Sequence, residues 1–192
     1  VFRSQVQAEL LNWLYLHPDE QFGVSDLAAR LRVPLSTLHR EIVRLHESGL
    51  ITSATLGRNR LVQADLTHPA SRPLAELLEI TFGPRLIVAE EFSIPGASSV
   101  IIFGSWAARF RGASGPPPGD VNVMVIGDVD RADVSEAADR AQGRLGLEVN
   151  PVVRSRQQWI DASDPLVSQI QGSSYVEVIE EGGDDATLAA RR

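Results

Sequence analysis

Apolar residues recur at helical spacing through the first third of the chain. Phe2, Val6, Leu10, Leu11 and Leu14 predict a helix over residues 3–16. His17-Pro18-Asp19 ends it, because a proline disfavours a helical residue before it. Ser25 ahead of Asp26-Leu27-Ala28 predicts an N-cap and a short helix reaching residue 31. After the turn Val33-Pro34-Leu35, Leu38, Ile42 and Leu45 fall at i, i+4 and i+7, a single apolar stripe on a longer helix. Ser36 is expected to cap its start, and Gly49 follows its last periodic residue as a C-terminal cap. Residues 51–56 and 61–64 then predict two strands around the turn Gly57-Arg58-Asn59-Arg60, a β-hairpin. Pro73, Leu74, Leu77, Leu78 and Phe82 predict one more helix, stopped by Gly83-Pro84.

The pattern changes after that point. Ser99 to Phe103 reads as a buried strand running straight into Gly104-Ser105 and a helix. Asp120 to Ile126 alternates, with Asp120 and Asn122 on one face and Val121 and Val123 on the other. Asp133 opens a helix to residue 145; Asp128 and Asp130 before it read as a loop and a helix start. Residues 147–153 form a strand with Glu148 and Asn150 on one face and Pro151 suited to an edge. Short helices over 155–162 and 165–171 and a strand over 174–179 complete the series, and residues 180–192 read as a frayed tail. The chain is therefore α+β: residues 1–66 one domain, 67–84 a linker or dimerisation helix, 85–180 a second domain with a mixed sheet and helices, and 181–192 a flexible tail.

A hydrophobic fraction of 43% over 192 residues is enough for packed cores. The net charge of −7 looks wrong for a nucleic-acid partner until it is divided. Residues 1–65 hold seven Arg against seven acidic residues, and residues 66–192 hold 11 Arg against 18. The acidity belongs to the second part, and the neutral first part predicts only modest non-specific affinity for DNA. There is no cysteine, which removes disulfide and thiol chemistry and fits a reducing cytoplasm. No apolar run is long enough to cross a bilayer, no signal peptide is evident, and further sequence is expected ahead of Val1. His17, His39, His46 and His68 are scattered without a zinc spacing.

The polar side of the long helix carries Ser36, Thr37, His39, Arg40 and Arg44, offering hydroxyls, an imidazole and guanidinium forks to a nucleic-acid groove. Plainer readings compete: Ser36 as an N-cap only, and Arg40 and Arg44 as an ordinary solvated face. Three helices followed by a hairpin with arginine at its tip resemble the winged helix-turn-helix domain of ArsR/MarR-type bacterial transcription regulators. The specific part runs from Ser25-Asp26-Leu27-Ala28 through Pro34-Leu35-Ser36-Thr37-Leu38 to Leu45-His46-Glu47-Ser48-Gly49-Leu50-Ile51. The resemblance implies that the second helix of the motif enters the major groove of double-stranded DNA and that the hairpin touches the backbone or minor groove. Thr37, His39 and Arg40 would face bases; Ser36, Arg44, Arg58 and Arg60 would sit nearer phosphates. It also implies a homodimer built on flanking helices, with residues 67–84 as one candidate.

Gly-Ser at a helix start, followed by a strand opening on Asp120-x-Asn122, resembles the DNA polymerase β-type nucleotidyltransferase superfamily, in particular its minimal bacterial members. The resemblance covers residues 85–180 and implies that Gly104, Ser105 and Arg109 hold nucleotide phosphates and that Asp120 and Asn122 face Mg²⁺. The chain departs from the superfamily pattern at Asn122, which offers a neutral oxygen where a second carboxylate is required, and again at Asn150 if that residue aligns with the third. The residues favour a DNA-binding transcription regulator whose second domain is inactive and senses a nucleotide or binds a protein partner. An active Mg²⁺- and NTP-dependent nucleotidyltransferase guided by a winged helix, antitoxin-type enzymes included, stands as the alternative.

Overall fold

The computed structural model describes residues 2–57 and 59–180. The chain divides into two compact units, Val1–Gly83 and Pro84–Arg192.

In the first unit, α1 (Gln5–Leu16) begins where Ser4 accepts a hydrogen bond from the Gln7 amide, and it buries Leu10, Leu11 and Leu14. β1 (Phe22–Gly23), α2 (Val24–Arg30), α3 (Leu35–Glu47), β2 (Ile51–Leu56), β3 (Asn59–Ala64) and α4 (Ser71–Phe82) follow. The strands form one antiparallel sheet in the order β1-β3-β2. Leu27, Leu38, Ile42, Ile51 and Leu78 close the core against α1. Tyr15 clamps the arrangement: its phenol donates to the Leu50 carbonyl at 2.9 Å and lies 2.9 Å from the Ser71 hydroxyl, so one side chain joins α1, the start of the hairpin and α4. Burial pushes the Tyr15 phenol above its ordinary range.

Several expectations are corrected here. Ser25 and Ser36 cap nothing: Gly23 and Pro34 are the cap residues of α2 and α3, each without a side-chain cap bond. In both cases helical geometry starts before the serine, leaving its hydroxyl on the first turn. The hairpin register runs to Leu56 opposite Asn59, so Arg60 belongs to β3 opposite Thr55 and is not a tip residue. α4, the helix expected to act as a linker or in dimerisation, packs on α1 and contributes Leu78 to this unit's core, a placement that leaves either role open. Gly49 does cap α3, with φ +76° and the Leu50 amide bonded back to Leu45.

The second unit opens with α5 (Pro84–Glu91), which sequence reading missed; Pro84 starts a helix where it was read only as a stop. It continues with β4 (Ala97–Phe103), α6 (Ser105–Phe110), β5 (Asp120–Gly127), α7 (Arg131–Leu145), β6 (Glu148–Arg154), α8 (Arg156–Asp161), α9 (Pro165–Gln171) and β7 (Tyr175–Ile179). The sheet order is β6-β5-β4-β7, with β4 antiparallel to β5 and β7 and with β5 parallel to β6. The parallel pair is joined through α7, as a crossover connection requires. Ile101, Met124 and Ile126 pack with Val167 and Ile170 of α9, and the alternate residues Val100, Ile102, Val121, Val123 and Val125 are buried as deeply. A sheet covered on both faces explains why β4 and β5 read as continuous apolar runs. The expected tail over residues 181–192 lies outside the described residues.

α5 is tied to α7 by charge. Arg140 and Arg144 donate to the Glu91 carboxylate at 2.8 and 2.6 Å, and Arg144 also reaches Glu90 at 2.7 Å. The Arg140 and Arg144 guanidinium groups hold the Glu91 carboxyl below the ordinary carboxylate range. A depressed folded pKa gives stability that is fully present above the unfolded value of about 4.3 and is lost as pH falls through the folded one. Unfolding free energies measured from pH 7 downward should therefore decline on the acid side, and Glu91→Gln should flatten that decline.

Candidate functional site

α3 has one buried stripe, Leu38, Ile42 and Leu45, and Glu41 is buried beside it at 7% exposure. With that side fixed, the helical period places Ser36, Arg40, Val43 and Glu47 (i, i+4, i+7 and i+11) on the opposite, exposed side. Thr37 and His39 are half-buried on its two flanks. Among the described residues the Arg40 guanidinium makes one long contact, 3.5 Å to the Thr37 hydroxyl. Arg44 is held: its Nη1 donates to Glu41 Oε1 at 3.0 Å, while Glu41 Oε2 is buried without a hydrogen-bond partner among the described residues. The outward face is thus centred on Arg40 and Val43, and Arg44 is tethered along its margin. Sequence reading missed Val43 because it collected polar positions only; the i+3 step from Arg40 was the available signal.

In the hairpin, Arg60 Nε donates to the Ser53 hydroxyl at 2.7 Å across the two strands, which stiffens the ladder. Leu56 is the exposed end of β2, at 71%. Arg58, expected at the tip, lies outside the described residues.

In the second unit, β4 ends at Phe103 and the chain turns through Gly104 (φ +80°, ψ −149°) into α6. That conformation belongs to glycine. A Cβ on Gly104 would stand 3.3 Å from Asn122 Nδ2. Asp120 opens β5, and its Oδ2 accepts from the amides of Asn122 at 2.9 Å and Asn150 at 3.3 Å. The parallel register pairs Asp120 with Glu148 and Asn122 with Asn150; the Asn150 amide is the group that reaches the Asp120 carboxylate, while Glu148 is exposed at the strand start. Gly104, Asp120, Asn122 and Asn150 are brought together. Arg109 donates instead to the Ala113 carbonyl at 2.6 Å and secures the following loop.

A pair of Mg²⁺ ions requires several concentrated anionic oxygens. The hydrogen-bonded cluster supplies one carboxylate, with Glu148 as its exposed register neighbour, and two amide N–H groups already engage one of its oxygens. Among the described residues no group of three or more His, Asp or Glu is placed to hold a metal ion. The donor set does not fit the two-metal chemistry that the superfamily resemblance implies. Sequence reading also missed an open cleft of about 650 Å³ along β7, lined by Arg85, Arg111, Tyr175 and Glu177 among others; none of the expected site residues lines it. Among the described residues no helix is long and apolar enough to cross a membrane.

No family model and no curated protein matches the chain. Solved structures with some likeness include a mutant of MepR from S. aureus, at 19% identity over 39% of this chain and 54% of that one, with a TM-score of 0.35. The heme sensor protein PefR from Streptococcus agalactiae, in complex with heme, matches at 18% identity over 47% and 61%, with a TM-score of 0.35. A mutant of ZitR from Lactococcus lactis in complex with DNA matches at 18% identity over 48% and 64%, with a TM-score of 0.35; ZitR is described as a zinc-responsive MarR family member. The match thus spans between about half and two-thirds of each of these chains. Likeness this slight carries no functional weight.

The Gly104 turn gives a direct test of the cluster. Gly104→Ala should destabilise the second unit by about 1–3 kcal/mol, since it forces a side chain into a glycine-only conformation. Chemical denaturation of the variant, followed through the near-ultraviolet signal of Trp106, should show it.

Proposed function

We propose that this chain is a DNA-binding transcription regulator, with the first unit a winged helix-turn-helix that offers α3 to the major groove of double-stranded DNA. The observation that carries the reading is α3 itself, anchored by Leu38, Ile42 and Leu45 while Arg40 stands exposed with one long contact. Ser36 supports it further, because it is exposed on the first turn of α3, where a hydroxyl can meet a phosphate or a base. The hairpin β2–β3 would lie along the backbone as a wing, with Arg58 and Arg60 the basic groups that its sequence supplies. Ile80, 68% exposed on α4, supports a homodimer in which α4 meets its copy, and two copies would read two half-sites. Such a regulator would work in the cytoplasm.

The second unit is, on this reading, a nucleotidyltransferase-like domain without catalytic metal chemistry, kept to sense a nucleotide or bind a protein partner. Gly104-Ser105 at the end of β4, next to Asp120, supports nucleotide binding. Asn122 and Asn150 speak against transfer, since each supplies an amide to the one carboxylate present.

Two measurements check these assignments. In gel-shift titrations of the full chain, Arg40→Ala should cost about 1–3 kcal/mol of specific affinity and relax one base position, whereas Arg58→Ala should weaken all sequences alike. A footprint unchanged by both removes the groove reading. For the second unit, calorimetry with each NTP, with and without Mg²⁺, should show no metal requirement, and α-labelled NTP should transfer no label. Label transfer with pyrophosphate release would establish the enzyme instead.

A further inference from the structure

The centre of the outward face of α3 holds an apolar residue that the regulator reading does not yet use. Val43 is 42% exposed in the middle of a 13-residue helix, one turn beyond Arg40 and one turn before Glu47. A β-branched side chain is a poor choice for an exposed helix position, because it loses rotamer freedom there, and 42% of Val43 stays open to water. Alanine, lysine or glutamate would serve the helix better. Val43 is not an isolated case in its neighbourhood. Among the described residues six large apolar side chains are exposed, and three of them, Leu35, Val43 and Leu56, belong to α3 and the hairpin. Apolar exposure is thus concentrated on the two elements that would face DNA.

The major groove presents one apolar feature, the C5-methyl group of thymine. We infer that Val43 reads that methyl group, an assignment that rests on α3 lying in the groove and deepens it to a stated base. Arg40 and Val43 are three residues apart, about 4.5 Å along the helix axis, against about 3.4 Å per base pair along the duplex. A guanine engaged by the Arg40 fork and the thymine touched by Val43 therefore lie within one or two base pairs of each other. The half-site is a mixed one, with a hydrogen-bonded purine beside a methyl-bearing pyrimidine.

The test uses the full chain and a pool of randomised duplexes, from which preferred sequences are selected and then rebuilt with uracil in place of each thymine in turn. Uracil keeps the pairing and the groove hydrogen-bond pattern and removes only the methyl group. One thymine per half-site should lose about fourfold in affinity on replacement, the share of one methyl group taken out of water. Val43→Ala should bind the thymine duplex more weakly and be indifferent to that replacement. The substitution is on an exposed face and favours the helix, so the variant should unfold at the same or a slightly higher denaturant concentration than the parent. A flat uracil scan, or a uracil penalty that persists in Val43→Ala, overturns the assignment while leaving the regulator reading standing. A pool that yields no preferred sequence overturns both.

Discussion

The first unit depends on the burial of three side chains. Once Leu38, Ile42 and Leu45 are committed to the core, the 3.6-residue period leaves no freedom in where the rest of α3 points. Ser36, Arg40, Val43 and Glu47 are turned outward by that commitment and by nothing of their own. An isolated helix of this length is marginal in water, so the presentation of Arg40 is a property of the packed unit. The neighbours reinforce it. Gly49 closes the C-terminal end, and the Tyr15 phenol holds Leu50, the first residue past that cap, against α1. Glu41 shows the cost of the arrangement. It is buried with one oxygen unpartnered among the described residues, and what it obtains is Arg44 held at the rim of the outward face.

Periodicity made much of this legible. The stripes of α1, α3 and α4, the hairpin, and the strands around Gly104-Ser105 and Asp120 follow from spacing alone, because apolar residues at those intervals have one way to reach a common core. What failed was local chemistry with two outcomes. Serine near a helix start is as stable on the first turn as at the cap, and Ser25 and Ser36 both took the first turn. Pro84 was read as a terminator although proline suits a first helical position equally well. Arg60 was assigned to a four-residue turn, but the ladder continues to Leu56 and Asn59 and draws it into the strand. β1 is two residues long, too short to show an alternation. The αL conformation of Arg32 between α2 and α3 has no sequence signal either, because glycine or asparagine is the usual sign of it.

The candidate site in the second unit required pairing, which spacing cannot supply. Glu148 and Asn150 share one face of β6, so either could have stood beside Asp120. The parallel register pairs Glu148 with Asp120, yet the Asn150 amide is the group that reaches the Asp120 carboxylate, and Glu148 is exposed at the strand start. That choice sets the chemistry. A carboxylate flanked by carboxylates gathers cations, whereas a carboxylate flanked by amides is satisfied by its neighbours. Other carboxylates of the second part are matched by arginines instead, Glu90 and Glu91 by Arg140 and Arg144 and Asp164 by Arg154.

Charge also connects the two halves of the functional reading. A first part with as many acidic residues as arginines releases few counterions on meeting DNA, and the acidic remainder adds no attraction. On the proposed reading non-specific affinity would be small, and a larger share of specific binding would come from contacts with base edges. A hydrogen-bonding fork and an apolar reader side by side supply that share without raising the charge, since methyl contact is independent of salt. The same composition that argues against a strong general DNA binder is what a selective one can use, provided the groove face offers more than arginine. Val43, placed where a solvated residue would have been more stable, is the residue that meets this condition.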